Sequence, residues 1–216
     1  VQGYSQSTAN LRVVALRIFY RYLVASRLRR RDPTDGLAIR PVRRVPKRPY
    51  SEDESRAVVD AARNARDRAI LYVLMDGALR LSEVAGIVGD DIDWAEHRIL
   101  VHGKGLRERW IALGETTMAA LRTCVNGQRG NVWGIDAPAI YMMVTRAAQR
   151  AGLQGIHPHG FRRTFAIRFA ESSGDIGALQ VILGHNALSQ TLYYAGYAVK
   201  ERALDAQRRF SPVDRL

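Results

Sequence analysis

Apolar positions recur at three- and four-residue spacing over most of the chain and alternate over one short stretch, which predicts a mainly α-helical protein with a small antiparallel β-sheet (α+β). From Ser7 to Leu28, the residues Leu11, Val14, Ala15, Ile18, Phe19, Tyr22 and Leu23 trace a single stripe. Arg12, Arg17 and Arg21 lie off it, so the segment reads as one amphipathic helix. Asp32-Pro33-Thr34-Asp35-Gly36 is a breaker cluster. Between Arg40 and Tyr50, Pro41, Pro46 and Pro49 deny the chain a helix, and this stretch reads as an extended linker. A lone helix cannot bury its own stripe. Residues 1–40 are therefore expected to be the end of a second helical domain, or a helix that packs on the domain C-terminal to it.

Ser51-Glu52-Asp53-Glu54 is a capping box that opens a new unit. Helical patterns follow at about 52–64 and 67–78, then from Ser82 to Ile87. Over residues 97–113 the period changes to two. Arg98 to His102 and Arg107 to Leu113 read as strands around the turn Gly103-Lys104-Gly105. Helical patterns return at about 115–124, 138–151, 161–172, 175–183, 189–194 and 199–209. The last carries Val199, Ala203, Ala206 and Phe210 as a narrow apolar stripe on a charged tail helix. The expected organisation is a helical arm over 1–40, a linker over 41–50 and a mainly helical domain over 51–216.

Composition changes this picture little. The chain has 216 residues, 47% apolar and 25% charged, which is ordinary for a globular protein. One cysteine, Cys124, excludes a disulfide scaffold and fits a reducing compartment. The longest apolar run, Ala69 to Met75, is far short of the ~20 residues of a membrane helix. No charged-then-apolar leader opens the chain, so neither secretion nor membrane insertion is expected.

Charge changes it more. The formal net charge is +12, and residues 1–48 hold twelve basic side chains against Asp32 and Asp35. A positive field concentrated in this way favours a polyanion, through phosphate contacts and counterion release. Arg12, Arg17, Arg21, Arg43, Arg44, Lys47 and Arg48 are the candidate DNA-binding residues. No phosphate-binding glycine loop, His-Glu-x-x-His or Cys-x-x-Cys is present. His157 and His159 lack a third ligand nearby, and Asp90, Asp91 and Asp93 read as caps of a loop. No metal or cofactor is expected.

Four motifs could handle a phosphate with side chains alone. In Asp76-Gly77-Ala78-Leu79-Arg80-Leu81-Ser82-Glu83, Gly77 ends a helix, Ser82 can cap the next, and Arg80 sits in the turn between. A guanidinium there can bind a phosphate through two parallel hydrogen bonds, or pair in solvent with Glu83. Lys104, at the hairpin tip, is one of three lysines in a chain with 30 arginines. An ammonium can lose its proton, so it suits general acid work where Arg does not. His159 and Arg162 stand three apart on one helix face, opposite an expected buried stripe of Phe161, Phe165 and Phe169. Leu183-Gly184-His185-Asn186 ends a helix at a left-handed glycine and exposes His185 before Tyr193-Tyr194. Each motif alone is weak and has an ordinary structural explanation.

Their order, Arg80, Lys104, His159-x-x-Arg162, His185 and then Tyr194 nine residues on, resembles the tyrosine recombinase (phage integrase) family over residues 50–200. The resemblance implies a tyrosine-recombinase-like catalytic domain over 51–216 and, over 1–40, the C-terminal part of a core-binding domain that lacks its first helices. It implies site-specific cutting and rejoining of DNA by metal-free transesterification through a 3′-phosphotyrosyl intermediate. Tyr194 would be the nucleophile, Arg80 and Arg162 the clamps on the phosphate, Lys104 the acid for the leaving 5′-oxygen, His159 a proton-transfer aid and His185 a phosphate donor. The partner would be double-stranded DNA with inverted half-sites in the bacterial cytoplasm. The protein would be a tetramer on DNA and largely monomeric when free, with the tail helix docked on a neighbour. One departure is Arg163, where family members often carry His, and it implies altered packing. The rivals are a type IB topoisomerase-like enzyme and a non-catalytic DNA-binding protein.

Overall fold

A computed structural model describes residues 3–42, 48–103, 108–125 and 130–185, with positions 188, 191, 192, 196, 207, 208 and 213. The chain divides into two compact units, Val1–Pro46 and Lys47–Leu216. Among the described residues, no helix is long and apolar enough to cross a membrane.

The first unit is built on α1 (Gln6–Ala25), whose N-cap Ser5 accepts a hydrogen bond from the Thr8 amide. None of its residues is buried, and Leu11, Ile18, Phe19 and Tyr22 are all exposed. The segment after the break runs back along the helix. Asn10 Nδ2 donates to the Arg40 carbonyl at 2.6 Å, and Arg17 donates to the Leu37 carbonyl.

In the second unit the capping box forms as expected: Ser51 Oγ accepts from the Glu54 amide at 3.0 Å and Glu54 from the Ser51 amide at 2.8 Å. It opens α2 (Glu52–Asp60). The next helix, α3 (Ala65–Asp76), carries Ala69, Ile70, Leu71, Val73 and Leu74 with no exposure. A helix apolar on every side must be surrounded. α2, α4 (Leu81–Ala85), α5 (Glu115–Cys124), α6 (Ala137–Arg150) and α7 (Pro158–Ser172) all pack on it. The sheet has three antiparallel strands in the order β1 (Ile92–Asp93), β2 (Arg98–His102), β3 (Glu108–Ala112), with Ile99 opposite both Ile92 and Ile111. β1 escapes a reading from sequence because two residues cannot show alternation. The last complete helix, α8 (Ile176–Leu183), packs on α7 and β3. The patterns at 189–194 and 199–209 fall largely outside the described residues.

Two expectations need correction. α7 begins at Pro158 rather than 161, because Pro at the first helical position gives up an amide that would be unpaired anyway. His157 caps it, with Nδ1 accepting from the Gly160 amide at 3.1 Å. The phenylalanine stripe is buried only at Phe161. Phe165 and Phe169 are half-buried and stack at 5.8 Å along an open groove with Met75 and Arg168.

The start of α7 rests on Tyr50. Its hydroxyl accepts from the His157 amide at 3.0 Å and lies 3.2 Å from the Gly155 carbonyl, and its amide donates to Thr164 Oγ1 at 2.8 Å. Arg163, the departure from the family pattern, stacks over the Tyr50 ring at 5.6 Å. Gly160 leaves the room for that ring, since a Cβ there would lie 1.8 Å from Tyr50 Oη. Gly160→Ala is therefore expected to destabilise the second unit by about 1–3 kcal/mol, the usual cost of overpacking, read as a lower urea midpoint with unchanged slope.

Candidate active site

Arg80, His159, Arg162 and His185 are brought together by three helix ends: the start of α4, the first two turns of α7 and the end of α8. Lys104, Tyr193 and Tyr194 lie outside the described residues.

Arg162 is the centre of the cluster, and only 1% of it is exposed. A buried guanidinium needs its donors satisfied. Nη1 donates to the Ala78 carbonyl at 2.7 Å, and Nη2 lies 2.6 Å from the Leu183 carbonyl and 3.1 Å from His185 Nε2. Ala78 sits in a left-handed conformation, φ 50°, with no exposure. For a residue with a Cβ this costs about 1–2 kcal/mol, and it delivers the carbonyl that Arg162 uses. Ala166, Ala170, Leu179 and Leu183 form an apolar floor with Ala78 beneath this contact.

Arg80 is the N-cap of α4, not Ser82 as the sequence led us to expect. The Glu83 carboxylate explains the difference: it reaches back to the Arg80 amide at 2.7 Å and takes the Arg80 guanidinium at 2.7 Å. A surface ion pair is also the wrong picture for these two residues, because the Glu83 side chain is only 5% exposed. Arg109, which belongs to none of the four motifs, donates from Nη1 and Nη2 to the same carboxylate at 3.1 and 2.9 Å. Arg162 Nη1 stands 3.8 Å from Glu83. Burial pushes the Glu83 carboxyl up, but the bonds from Arg109 and the Arg80 amide outweigh it and hold the carboxyl below its ordinary range. Strand alternation could have revealed Arg109, which shares a face of β3 with buried Ile111.

Three arginines also cap the end of α8. Successive carbonyls of Ile182, Leu183 and Gly184 accept from Arg109 (2.8 Å), Arg162 (2.6 Å) and Arg80 (3.2 Å). These oxygens have no partner within the helix and lie at its negative end, where cations are favoured. Gly184 takes φ 59°, as expected, and turns the chain toward His185.

Burial, with Arg162, Arg80, Arg109 and His159 nearby, pushes the His185 imidazole down to about 4. A neutral ring that accepts from Arg162 at Nε2 carries its proton on Nδ1, 2.9 Å from Thr191 Oγ1. His159 is exposed, yet desolvation and then Arg162, His157, Arg163 and Arg80 also lower its pKa. Among the described residues no group of three His, Cys, Asp or Glu could hold a metal ion.

The described candidate DNA-binding residues fall in both units, Arg12, Arg17 and Arg21 in the first and Arg48 in the second. In the first unit, Arg12 stacks on Tyr4 at 3.7 Å, Arg17 holds the Leu37 carbonyl, and Arg21 lines a cleft with Arg30, Arg31, Asp32 and Asp35. Arg43, Arg44 and Lys47 lie outside the described residues. Arg48 forms a bidentate pair with Glu54 at 2.7 and 2.6 Å, which holds the Glu54 carboxyl down at about 2.

A histidine whose pKa falls on folding makes the unfolded chain the better proton binder between the two values, so stability rises with pH there. For His185 that window runs from about 4 to the ordinary 6.5. Its carbon-detected NMR titration is expected near pH 4 in free protein. His185→Gln is expected to flatten the rise in stability between pH 4 and 6.5, with His159 supplying the remainder.

The chain is similar to known proteins in sequence and in fold. The model of the phage integrase family matches residues 50–201. The tyrosine recombinase XerC of Azotobacter vinelandii is 33% identical over 214 residues, covering 90% of this chain and 71% of the relative. The crystal structure of XerA recombinase aligns with a TM-score of 0.66 at 26% identity, covering 94% of this chain and 77% of that one. The Tn1549 transposon integrase in complex with transposon right end DNA aligns with a TM-score of 0.74 over 94% of this chain and 81% of that one, at 19% identity, a likeness of fold. By sequence over most of its length and by fold, the chain belongs to the phage integrase family of tyrosine recombinases.

Proposed function

We propose that this tyrosine recombinase binds double-stranded DNA and exchanges strands at a specific site, with Arg80, Lys104, His159, Arg162, His185 and Tyr194 as its working groups. The observation that carries the reading is the convergence of Arg80, Arg162 and His185 at the end of α8, with His185 nine residues before Tyr194. The Tyr194 oxygen attacks a backbone phosphorus and loses its proton. The bond to the 5′-oxygen breaks, leaving a 3′-phosphotyrosyl link and a 5′-hydroxyl. Attack by a 5′-hydroxyl from a second duplex reverses the step, so bond energy is conserved.

The side chains supply the electrostatics. Arg80, 43% exposed at its side chain, offers donors to the non-bridging oxygens, while Arg162 adds positive charge from below. Lys104 gives a proton to the leaving 5′-oxygen and His159 assists proton transfer. Positioned donors of this kind are each worth about 2.7–4 kcal/mol. His185 has its Nε2 turned to Arg162. An arriving phosphate favours protonation of that ring, which ends the bond from Arg162 and gives Nε2 a proton to donate to the phosphate.

Residues 1–40 act in this reading as part of a core-binding domain, 41–50 as the basic linker and 51–216 as the catalytic domain with its tail helix. The site of action is DNA in the bacterial cytoplasm. Inverted half-sites would hold four copies, each tail docked on its neighbour, and the free protein would be largely monomeric.

On the helix that the sequence pattern predicts for 189–194, neighbours would point about 100° apart, so only one of Tyr193 and Tyr194 would face the phosphate. On a nicked suicide duplex, Tyr194→Phe is expected to abolish the covalent adduct and keep DNA binding, while Tyr193→Phe forms it. The reverse pattern would move the nucleophile. Wild-type complexes trapped on paired inverted half-sites are expected to show four protomers by mass. An adduct without synapsis of two duplexes would instead favour a topoisomerase.

The basic arm has its own test. Replacing Arg43, Arg44, Lys47 and Arg48 by Ala is expected to weaken binding to all sequences and to flatten the salt dependence by about 0.9 per lost phosphate contact. An unchanged slope would mean that the arm does not touch phosphate.

A further inference from the structure

The site holds a third arginine that the cleavage and rejoining steps do not use. Arg109 points inward from β3, with its side chain 10% exposed. Nη1 and Nη2 meet the two Glu83 oxygens at 3.1 and 2.9 Å, and Nε donates to the Ile182 carbonyl at 2.8 Å. One planar group therefore joins three elements: β3, the first turn of α4 and the last turn of α8. A guanidinium has this fork of donors and an ammonium does not. Gly184 packs directly on it, since a Cβ there would lie 3.1 Å from Nη1.

The Glu83 carboxylate has two oxygens and about four places to accept. Arg109 fills two of them, and the Arg80 amide and guanidinium fill the others. Without Arg109, a buried carboxylate with vacant lone pairs would draw in the nearest cations. Arg162 Nη1 is already 3.8 Å away, and Arg80 is in contact. Both would move toward Glu83 and away from the carbonyls of Leu183 and Gly184 that they now hold. The loss of the Ile182 contact would also release the turn that carries His185.

We propose that Arg109 is a positioning residue for strand cleavage. By saturating Glu83 and holding the Ile182 carbonyl, it keeps Arg80, Arg162 and the Gly184–His185 turn in register with one another. The proposal deepens the recombinase reading and rests on it for the identity of the reaction. It does not place Arg109 against DNA.

Arg109→Lys keeps the charge and loses the fork, whereas Arg109→Gln loses both. Both are compared with wild type for duplex half-site binding, single-turnover cleavage of the suicide duplex and the NMR titration of His185 in free protein. For Arg109→Lys, half-site affinity is expected to hold while cleavage falls about 100-fold, the scale set by a misplacement of about 1 Å. In Arg109→Gln the His185 titration should move up from about 4, because Arg109 is one of the charges that depress it. Cleavage by Arg109→Lys at the wild-type rate would overturn the proposal, as would binding and cleavage that fall in the same proportion. If wild type itself forms no adduct, the recombinase reading fails. The His185 titration then still decides whether Arg109 governs the turn, and an unmoved value in Arg109→Gln would end the idea. Arg109→Lys decides alone if Arg109→Gln does not fold.

Discussion

A single buried carboxylate organises this site. Glu83 is 5% exposed and lies against Arg80, Arg109 and, at 3.8 Å, Arg162. An isolated carboxylate would be costly at this depth, and so would three guanidinia massed without a counter-charge. Together they satisfy one another and leave a net positive centre, which is what a phosphate requires. Breaking a buried pair by removing one partner typically costs about 3–5 kcal/mol. The geometry of the whole cluster therefore hangs on the charge of Glu83.

The end of α8 supplies the second constraint. A helix terminus leaves its last carbonyls unpaired, and here three of them accept from three different arginines. The same groups that bear the positive charge thus fix the turn that carries His185. Backbone strain at Ala78 belongs to this arrangement, because its left-handed conformation sends a carbonyl to Arg162.

Tyr50 links the linker to this centre. It lies just after the junction of the two units and bonds the backbone on either side of the turn into α7. His159 and Arg162 follow within the first two turns of that helix. One ring seated on one glycine thus fixes the start of the helix that carries both side chains.

Much of this was legible in the residues themselves. Helical spacing located α1 to α8 within a few residues, because the helices of the second unit each bury a face or, for α3, nearly all of it, and α1 carries an apolar stripe even though none of its residues is buried. The order of Arg80, Lys104, His159, Arg162, His185 and Tyr194 named the family, which the comparisons bear out. A local pattern could do this because each motif carries its own turn chemistry, as at Gly184. Tertiary structure decided the rest. Arg109 reads in sequence as one more arginine in an arginine-rich chain, and Glu83 as the partner of a surface ion pair. Their roles depend on contacts across 26 positions to one another and 73 positions to Ile182. Strand alternation could place Arg109 on the inner face of β3 but not choose its partners, because those contacts form only when strand and helices have packed and water has been excluded from between them.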